Sequence, residues 1–400
     1  MKLPIYLDYN ATTPIDPEVL EEMVPYLKEY FGNPSSSHLY GQQTHAAIEQ
    51  ARVQVAELLG CSPTEIIFTS GGTEANNHAL RGVAFANSFR GKHLISSQIE
   101  HPAVLNTLHY LENHGFRVTY LPVDSSGRVD PEDVRSAITE ETILITIMLA
   151  NNEVGSIQPI AEIGSIAREK GIYLHTDSAQ AVGKIPTKVD ELKVDLLTVA
   201  AHKFYGPKGI GALYVRQGTQ LEAFLHGAGH EQGRRAGTEN VPYIVALGKA
   251  AQLAEQKLAA DRERIIKLRD CLFAQLVNSI EGITLNGHLT DRLPNTLNIS
   301  FPGLEGGTLL AQLPEVAAST GSACNDKCRE FSKVLLAMGV KPEVGFGSVR
   351  FSLGRWTTEE EIDYAAEVIT SKVKQLQSQD QGVSHHQDEV GLTALASCAG

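Results

Sequence analysis

The chain has 400 residues, of which 42% are hydrophobic and 20% charged, and its formal net charge is −13. This length allows one large domain and a smaller one, and the acidic balance argues against a basic nucleic-acid-binding face or anchoring on anionic membranes. No apolar run approaches the roughly 20 residues of a membrane span, and the N-terminus has no signal-peptide pattern, so we expect a cytoplasmic protein.

The cysteines also indicate a reducing compartment. The chain contains Cys61, Cys271, Cys324, Cys328 and Cys398. An odd, sparse set in a chain of this length is not typical of a disulfide framework. Cys324 and Cys328 have a C-x3-C spacing without an obvious second pair of ligands, so we expect no metal site.

Strand-like and helix-like segments alternate between about residues 45 and 255. Short apolar runs predict strands at 65–70, 92–97, 117–123, 142–150, 172–177, 194–200 and 211–215. Helical patterns, such as residues 159–170, lie between several of these runs. The alternation predicts a doubly wound, mostly parallel sheet, and the continuous apolar runs indicate strands that are covered on both faces.

The pattern changes after about residue 240. A long helix with breaks is predicted over 241–280, and strands follow near 296–300 and 348–353. A late amphipathic helix over 357–376 begins with a threonine cap and an acidic first turn. The last twenty or so residues are small and polar, so we expect them to be mobile.

Two groups of polar residues follow strands at the edge of the sheet where ligands collect in open α/β folds. Gly72 and Thr73 lie where a strand leads into a helix. They form either an anion site of backbone N–H groups and a hydroxyl, or simply a turn and a cap. Asp177 ends an apolar run, with Gln180 three residues later. This acid either pairs with a cationic ring nitrogen or caps a helix.

Lys203 and His101 follow two further strands. Desolvation or neighbouring cations lower the pKa of a lysine and make its amine nucleophilic, whereas an ordinary lysine packs its stem and extends its head into solvent. His101 either stacks on a planar cofactor and moves protons, or is a structural histidine. A lysine, an acid, an aromatic ring and an anion site at strand ends are together what pyridoxal phosphate (PLP) requires.

Motifs distributed over nearly all of residues 1–375 extend this interpretation. In chain order they are YLDYNATTP (6–14), FGNPSSSHLYG (31–41), FTSGGTEANN (68–77), EHPAV (100–104), LANNEVGSIQPI (149–160), HTDSAQAVGK (175–184), AHKFYGPKGIGALYVR (201–216), RRAGTEN (234–240), RLPNTLNISF (292–301), STGSAC (319–324) and VRFSLGR (349–355). With these motifs the chain resembles the cysteine desulfurases of the class V aminotransferase family.

The resemblance implies the fold type I architecture of PLP-dependent transferases. We therefore expect a large PLP-binding domain over residues 15–255, built on a mostly parallel seven-stranded sheet. A smaller α+β domain is expected from residues 1–14 and 256–378, and it carries the loop of the catalytic cysteine. Residues 379–400 are expected to form a mobile tail.

The resemblance also implies roles for individual residues. Lys203 matches the lysine that binds the cofactor covalently, His101 the histidine that stacks on its ring, and Cys324 the catalytic cysteine. The other matches are Thr73 and His202 to phosphate-binding positions, Thr238 to a threonine that reaches the phosphate from the partner subunit of a homodimer, Asp177 to the partner of the pyridine nitrogen, Gln180 to that of the ring oxygen, and Asn152 and Arg350 to residues that bind the substrate carboxylate.

The implied reaction transfers sulfur from L-cysteine to the thiol of Cys324, which leaves L-alanine and a persulfide. The sulfur would pass to an acceptor protein of iron–sulfur cluster assembly or of tRNA thiolation. A selenocysteine lyase is the main alternative, and a PLP-dependent aminotransferase or a non-catalytic sulfur-carrier scaffold are others. Two positions depart from the family. Ala200 stands where many members carry a hydroxyl residue, and Cys328 is not a general feature of the family.

Overall fold

The structure, a computed structural model, describes residues 2–320 and 331–396, with side chains up to residue 379. The strands are β1 Ile5–Tyr6, β2 Ile66–Thr69, β3 His93–Ser97, β4 Arg117–Leu121, β5 Thr142–Thr146, β6 Tyr173–Asp177, β7 Leu196–Ala200, β8 Gly211–Val215, β9 Thr284–Asn286, β10 Thr296–Ser300, β11 Val316–Ala317 and β12 Ser348–Ser352. The helices are α1 Pro17–Lys28, α2 Leu39–Leu59, α3 Gly72–Ala86, α4 Pro102–Glu112, α5 Pro131–Ala137, α6 Ile160–Lys170, α7 Val189–Leu192, α8 Val241–Ser279, α9 Gly306–Ala311, α10 Lys333–Ala337, α11 Pro342–Gly345 and α12 Glu359–Ala396.

Strands β2 to β8 form the central sheet, in the order β2-β8-β7-β6-β5-β3-β4. Strand β8 runs antiparallel to β2 and β7, and the other neighbours are parallel. One face of the sheet packs on α2, α6 and α8, and the other packs on α3 and α4. The predicted α/β class with a mostly parallel seven-stranded sheet is confirmed.

Strand β5 is shorter than the apolar run 142–150 predicted. It ends at Thr146, where the pairing with β3 stops, although backbone hydrogen bonds to the neighbouring β6 continue as far as Leu149. The Met148 N–H donates to both carboxylate oxygens of Glu100, at 3.0 and 3.1 Å, and the Leu149 N–H donates to the Asp177 carbonyl oxygen at 2.9 Å. On the β3 side, the end of the run is therefore bonded to the carboxylate of Glu100 instead of to a strand.

Helix α8 is continuous, whereas the sequence predicted breaks in it. Its interior glycine, Gly248, serves packing: a Cβ added there would lie 2.6 Å from the Cα of Ala51 in α2. The absent side chain lets the two helices approach closely. The first half of α8 packs in the core beneath the sheet, and Leu268 and Leu272 in its second half belong to a separate apolar cluster.

That second cluster forms the core of the C-terminal part of the chain. It surrounds the antiparallel sheet β12-β10-β9 and includes Ile5 and Leu7 from the N-terminus. Helix α12 follows the predicted threonine cap, since Thr358 and Glu361 exchange reciprocal bonds of 3.1 and 3.2 Å between side chains and backbone N–H groups. The helix extends past the predicted end at residue 376. The domain boundaries and the mobile tail stay predictions.

Candidate active site

The carboxyl ends of β5, β6 and β7, the turn after β3 and the start of α3 enclose a cavity of about 200 Å³. Eight of the residues predicted for the site line it: Gly72, Thr73, His101, Asn152, Asp177, Gln180, His202 and Lys203. Arg350 adjoins this set through Asn152, and Thr238 lies away from the lining. Cys324 and Cys328 lie outside the described residues.

Lys203 follows β7 and is held by backbone carbonyls from the N-terminal segment. Its Nζ donates to the carbonyl oxygen of Asn10 at 2.6 Å and to that of Ala11 at 2.9 Å. Burial, and then the charge of Arg350, lower the pKa of Lys203 to about 8, against the opposing pull of Asp177 and Asp8. A substantial fraction of the amine is therefore neutral near physiological pH, as a nucleophilic lysine needs.

Asp177 is the last residue of β6 and is almost completely buried. Its Oδ2 accepts a hydrogen bond of 2.7 Å from Nδ2 of Asn76, and its Oδ1 accepts one of 2.9 Å from the Ala179 N–H. These bonds fix the carboxylate at the cavity wall and leave lone pairs on both oxygens. The turn-capping bond that the alternative interpretation required is thus present, and it does not prevent the carboxylate from pairing with a ligand.

His101 stands at the mouth of the cavity as the N-cap of α4. Its Nδ1 accepts a hydrogen bond of 3.1 Å from the Ala103 N–H, so a neutral ring carries its proton on Nε2. Burial lowers the pKa of His101. The charge of Asp177 raises this pKa and that of Lys203 lowers it, but both effects are smaller than that of burial. The residue therefore presents a flat neutral ring and one N–H donor.

The other end of the cavity is suited to an anion. Helix α3 begins at Gly72 and Thr73, where the first N–H groups of a helix have no partners within the helix. His202 lies nearby, and its Nδ1 is 3.2 Å from Oγ1 of Thr12. Burial, followed by Lys203, Lys208 and Lys184, lowers the pKa of His202 to about 4. It therefore acts as a neutral hydrogen-bonding group.

Arg350, on β12, connects the cavity to the C-terminal part of the chain. Its Nη1 donates to the carbonyl oxygen of Asn152 at 2.8 Å, and its Nη2 donates to Oδ1 of Asp8 at 2.8 Å. The Nε of Arg350 is buried and has no hydrogen-bond partner among the described residues. A guanidinium with an unused buried donor beside Asn152 can bind a carboxylate.

These features fit PLP. The cavity offers an amine, a fixed carboxylate, a flat ring and a helix N-terminus, which match the aldehyde, pyridinium, ring and phosphate of that molecule. The cradle is tight at the helix, where a Cβ added to Gly72 would lie 3.3 Å from the Cβ of Ala200. Oδ1 of Asn76, in the cavity lining, is buried and lacks a partner in the described part of the chain.

The sequence did not assign a role to Asn10 or Glu100, which support the site. The carbonyl oxygen of Asn10 accepts from both Lys203 and Gln180, at 2.6 and 2.9 Å. Glu100 lies beneath the His101 turn, accepts a bond of 2.6 Å from the Ser97 hydroxyl, and has its pKa raised to about 8 chiefly by burial. Both residues belong to motifs of the resemblance, LDYNATTP and EHPAV, which was the available signal.

The family model for aminotransferase class-V matches residues 5–365. The chain belongs to this family. It is 51% identical to the cysteine desulfurase IscS of Dictyoglomus turgidum over 380 residues, which cover 94% of this chain and 96% of the relative. It is also 51% identical to the cysteine desulfurase IscS of Methanosarcina thermophila, over 94% of this chain and 93% of that one. The predicted family membership and the PLP dependence that characterises it are thereby confirmed.

Solved structures agree with the fold. A NifS-like protein superposes with a TM-score of 0.88 at 41% identity, covering 93% of this chain and all of that one. A structure described as SspA in complex with cysteine superposes with a TM-score of 0.78 at 39% identity, covering 88% of this chain and 99% of that one. The fold type I prediction is confirmed.

None of the helices in the described residues is long and apolar enough to cross a membrane.

Proposed function

We propose that the protein is a PLP-dependent cysteine desulfurase, which converts L-cysteine to L-alanine and transfers the sulfur to Cys324. The observation that carries the proposal is the position of Lys203. Its amine, with a pKa lowered to about 8, shares one cavity with the buried carboxylate of Asp177. The 51% identity to two IscS desulfurases supports the reaction.

The substrate would be held by its carboxylate. Arg350 has a buried Nε with no partner among the described residues, and its Nη1 is bonded to the backbone of Asn152. Charge-assisted bonds from these two residues would orient L-cysteine with its amine towards Lys203. When bound, PLP stabilises negative charge at the substrate carbon next to the amine. Lys203, as a neutral amine, can remove the proton from that carbon, and His101 offers an N–H at the cavity mouth.

Sulfur transfer would require the thiolate of Cys324 to reach the sulfur of the substrate. The thiolate forms the new S–S bond while the C–S bond of the substrate breaks. The electron pair of the C–S bond stays on the substrate carbon, which takes up a proton and becomes the methyl group of alanine, and the sulfur remains on Cys324. The described residues on either side of 321–330 support this proposal. On one side, Ser319 and Arg350 exchange backbone hydrogen bonds. On the other, the Ser332 hydroxyl donates to Oε2 of Glu153 at 2.6 Å, next to Asn152.

The decisive experiment measures alanine and protein-bound sulfur after incubation of the purified protein with L-cysteine. Cys324→Ser is expected to abolish persulfide formation, because the serine hydroxyl is not a thiolate nucleophile. Cys271→Ser is the matched control, since Cys271 is an exposed free cysteine on α8, and it should retain activity. Sulfide release from Cys324→Ser at the wild-type rate would contradict the persulfide route. A parallel assay with selenocysteine separates a desulfurase from a selenocysteine lyase.

We further propose a homodimer and a protein acceptor for the sulfur. Thr238 is exposed in the segment between β8 and α8, as a residue that contacts a partner subunit must be. Exposed apolar side chains on the same protomer include Phe31, Leu39 and Tyr40, which are 75%, 66% and 53% accessible. Exposed apolar clusters of this kind favour association. Light scattering of the holoprotein tests the dimer, and Thr238→Ala should weaken cofactor binding if the partner contributes that hydroxyl.

A further inference from the structure

We propose that Lys184 is a positioning residue, which fixes the orientation of the Gln180 side-chain amide so that it presents an N–H donor to the cofactor. The inference rests on the proposed function, in which Gln180 contacts the ring oxygen of PLP. Gln180 lines the cavity, whereas Lys184 lies four residues further along the chain and is absent from the lining. Lys184 would therefore act through Gln180.

The hydrogen bonds of Gln180 define which way its amide faces. Nζ of Lys184 donates to Oε1 of Gln180 at 2.8 Å, and Nε2 of Gln180 donates to the carbonyl oxygen of Asn10 at 2.9 Å. A backbone carbonyl only accepts and an ammonium only donates. If the amide were reversed, N–H would face the ammonium and oxygen would face the carbonyl. Both neighbours therefore select the same orientation, with Nε2 facing Asn10 and a second hydrogen left on that nitrogen.

The donor role of Lys184 does not depend on its charge. Its Nζ has two acceptors, Oε1 of Gln180 at 2.8 Å and Oδ1 of Asn10 at 3.3 Å. Desolvation, and then Lys203 and Arg350, lower the pKa of Lys184 well below that of an ordinary lysine. The neutral amine still has two hydrogens, one for each acceptor, and in that state the Asn10 carbonyl oxygen is the neighbour that excludes a reversed Gln180 amide. The geometry is therefore maintained in either protonation state.

Asn10 is itself fixed from the opposite side. Its Oδ1 also accepts from Nδ2 of Asn295 at 3.0 Å, and its Nδ2 donates to Oγ1 of Thr296 at 2.8 Å. Nδ2 of Asn295 donates in turn to the Leu353 carbonyl oxygen at 3.2 Å. This chain of bonds sets the Asn10 amide, so Lys184 meets an oxygen there. The Asn10 carbonyl oxygen also accepts a hydrogen bond from Lys203, so this one residue positions both the Lys203 amine and the Gln180 amide.

The test measures PLP binding to the apoprotein, which needs no turnover. Lys184→Met keeps an unbranched stem without the donor, and a lost neutral hydrogen bond corresponds to about a fivefold to tenfold weaker affinity. Gln180→Leu should weaken binding by a similar factor. In the double variant, Lys184→Met should add less than about twofold, because its effect passes through the amide that is already absent. The pH midpoint of the bound-cofactor absorbance should shift equally in all three variants.

The controls separate this role from structural damage. Lys188→Met removes a lysine four residues further on that bonds the Glu57 carbonyl and Glu255 instead, and it should leave affinity and absorbance unchanged. Lys184→Arg keeps N–H donors and should remain within about threefold of wild type; it also serves if Lys184→Met fails to fold. Equal weakening by Lys184→Met in the wild-type and Gln180→Leu backgrounds would overturn the inference. Failure of the wild-type apoprotein to bind PLP would instead contradict the proposed function.

Discussion

Arg350 and Asn152, the two residues predicted to bind the substrate carboxylate, contact each other: Nη1 of Arg350 donates to the carbonyl oxygen of Asn152 at 2.8 Å. They are 198 residues apart in the chain. Arg350 lies on β12, and Asn152 lies in the segment between β5 and α6. The same guanidinium is neutralised by Asp8, at 2.8 Å from Nη2. The substrate-binding corner is therefore assembled from three separate segments before any substrate arrives.

Arg350→Lys is expected to raise the KM for L-cysteine about tenfold to a hundredfold. A lysine keeps a positive charge for Asp8 but cannot provide the planar fork of a guanidinium, so it loses the bond to Asn152 or the one to the substrate. Steady-state kinetics with holoenzyme check this. Arg128→Lys, which alters an exposed pair with Asp291, is the control. An unchanged KM for L-cysteine in Arg350→Lys would exclude Arg350 from carboxylate binding.

The covalent attachment of PLP to the apoprotein should accelerate as the pH rises through about 8. Only the neutral amine attacks an aldehyde, and the pKa of Lys203 is lowered from 10.5 to about 8. Roughly one amine in ten is then neutral at pH 7, against roughly one in three thousand for an ordinary lysine. The rate should level off once the pH exceeds the pKa. Stopped-flow absorbance follows the reaction.

The variant Lys203→Ala provides the reference for that experiment. It should bind PLP without the absorbance of the covalently attached cofactor, and reduction with borohydride should leave no cofactor on the protein. A rate that keeps rising towards pH 10 in the wild type would contradict the lowered pKa. Unchanged absorbance in Lys203→Ala would show that another amine is attached.

Local patterns predicted the sheet and part of the cavity lining, whereas Asn152 and His202 were assigned only by the resemblance to the cysteine desulfurases. Apolar runs gave the strands, and the polar residues after them, such as Asp177 and Lys203, fall where the strands end. The contact between Lys203 and Asn10 could not be predicted in this way. It is made by a backbone carbonyl, which every residue has, across 193 positions of the chain. The close packing at Gly248 likewise depends on a distant helix, which is why a continuous α8 was missed.

Ala200→Ser is expected to tighten PLP binding by about tenfold to a hundredfold. Ala200 ends β7 and lines the cavity near Gly72 and His202 at the phosphate end, where many members of the family have a hydroxyl. A hydrogen bond to a charged group contributes about 1.5–3 kcal/mol. Equilibrium titration of the apoprotein measures the change. Thr198→Ser, a change in the same strand that retains a hydroxyl, is the control. No gain in affinity from Ala200→Ser would indicate that the phosphate lies beyond its reach.

Glu231→Ala is expected to destabilise the protein by about 3–5 kcal/mol, the usual effect of leaving a buried charge without its partner. The two oxygens of Glu231 accept from Nη1 and Nη2 of Arg52 at 2.8 and 2.9 Å, and Oε2 also accepts from the Phe68 N–H at 2.8 Å. Only 7% of the Arg52 side chain and 3% of the Glu231 side chain are accessible. Removing the carboxylate leaves the Phe68 N–H unpaired, and it leaves a buried guanidinium with only the half-exposed Glu49 and the Ile66 carbonyl oxygen as partners.

Denaturant titration of the apoprotein measures this loss, with Glu263→Ala as the matched control. Glu263 pairs with Lys267 at 2.7 Å, but both side chains are 72% accessible, so water replaces the lost partner and the midpoint should not move. Because Glu231 also anchors the segment that carries Thr238, the Glu231 variant should bind PLP less tightly even under conditions where it is folded. The double variant Arg52→Met with Glu231→Ala removes the stranded charge and should recover part of the stability. Equal stability of the single and double variants would show that the buried guanidinium is not the cause of the loss.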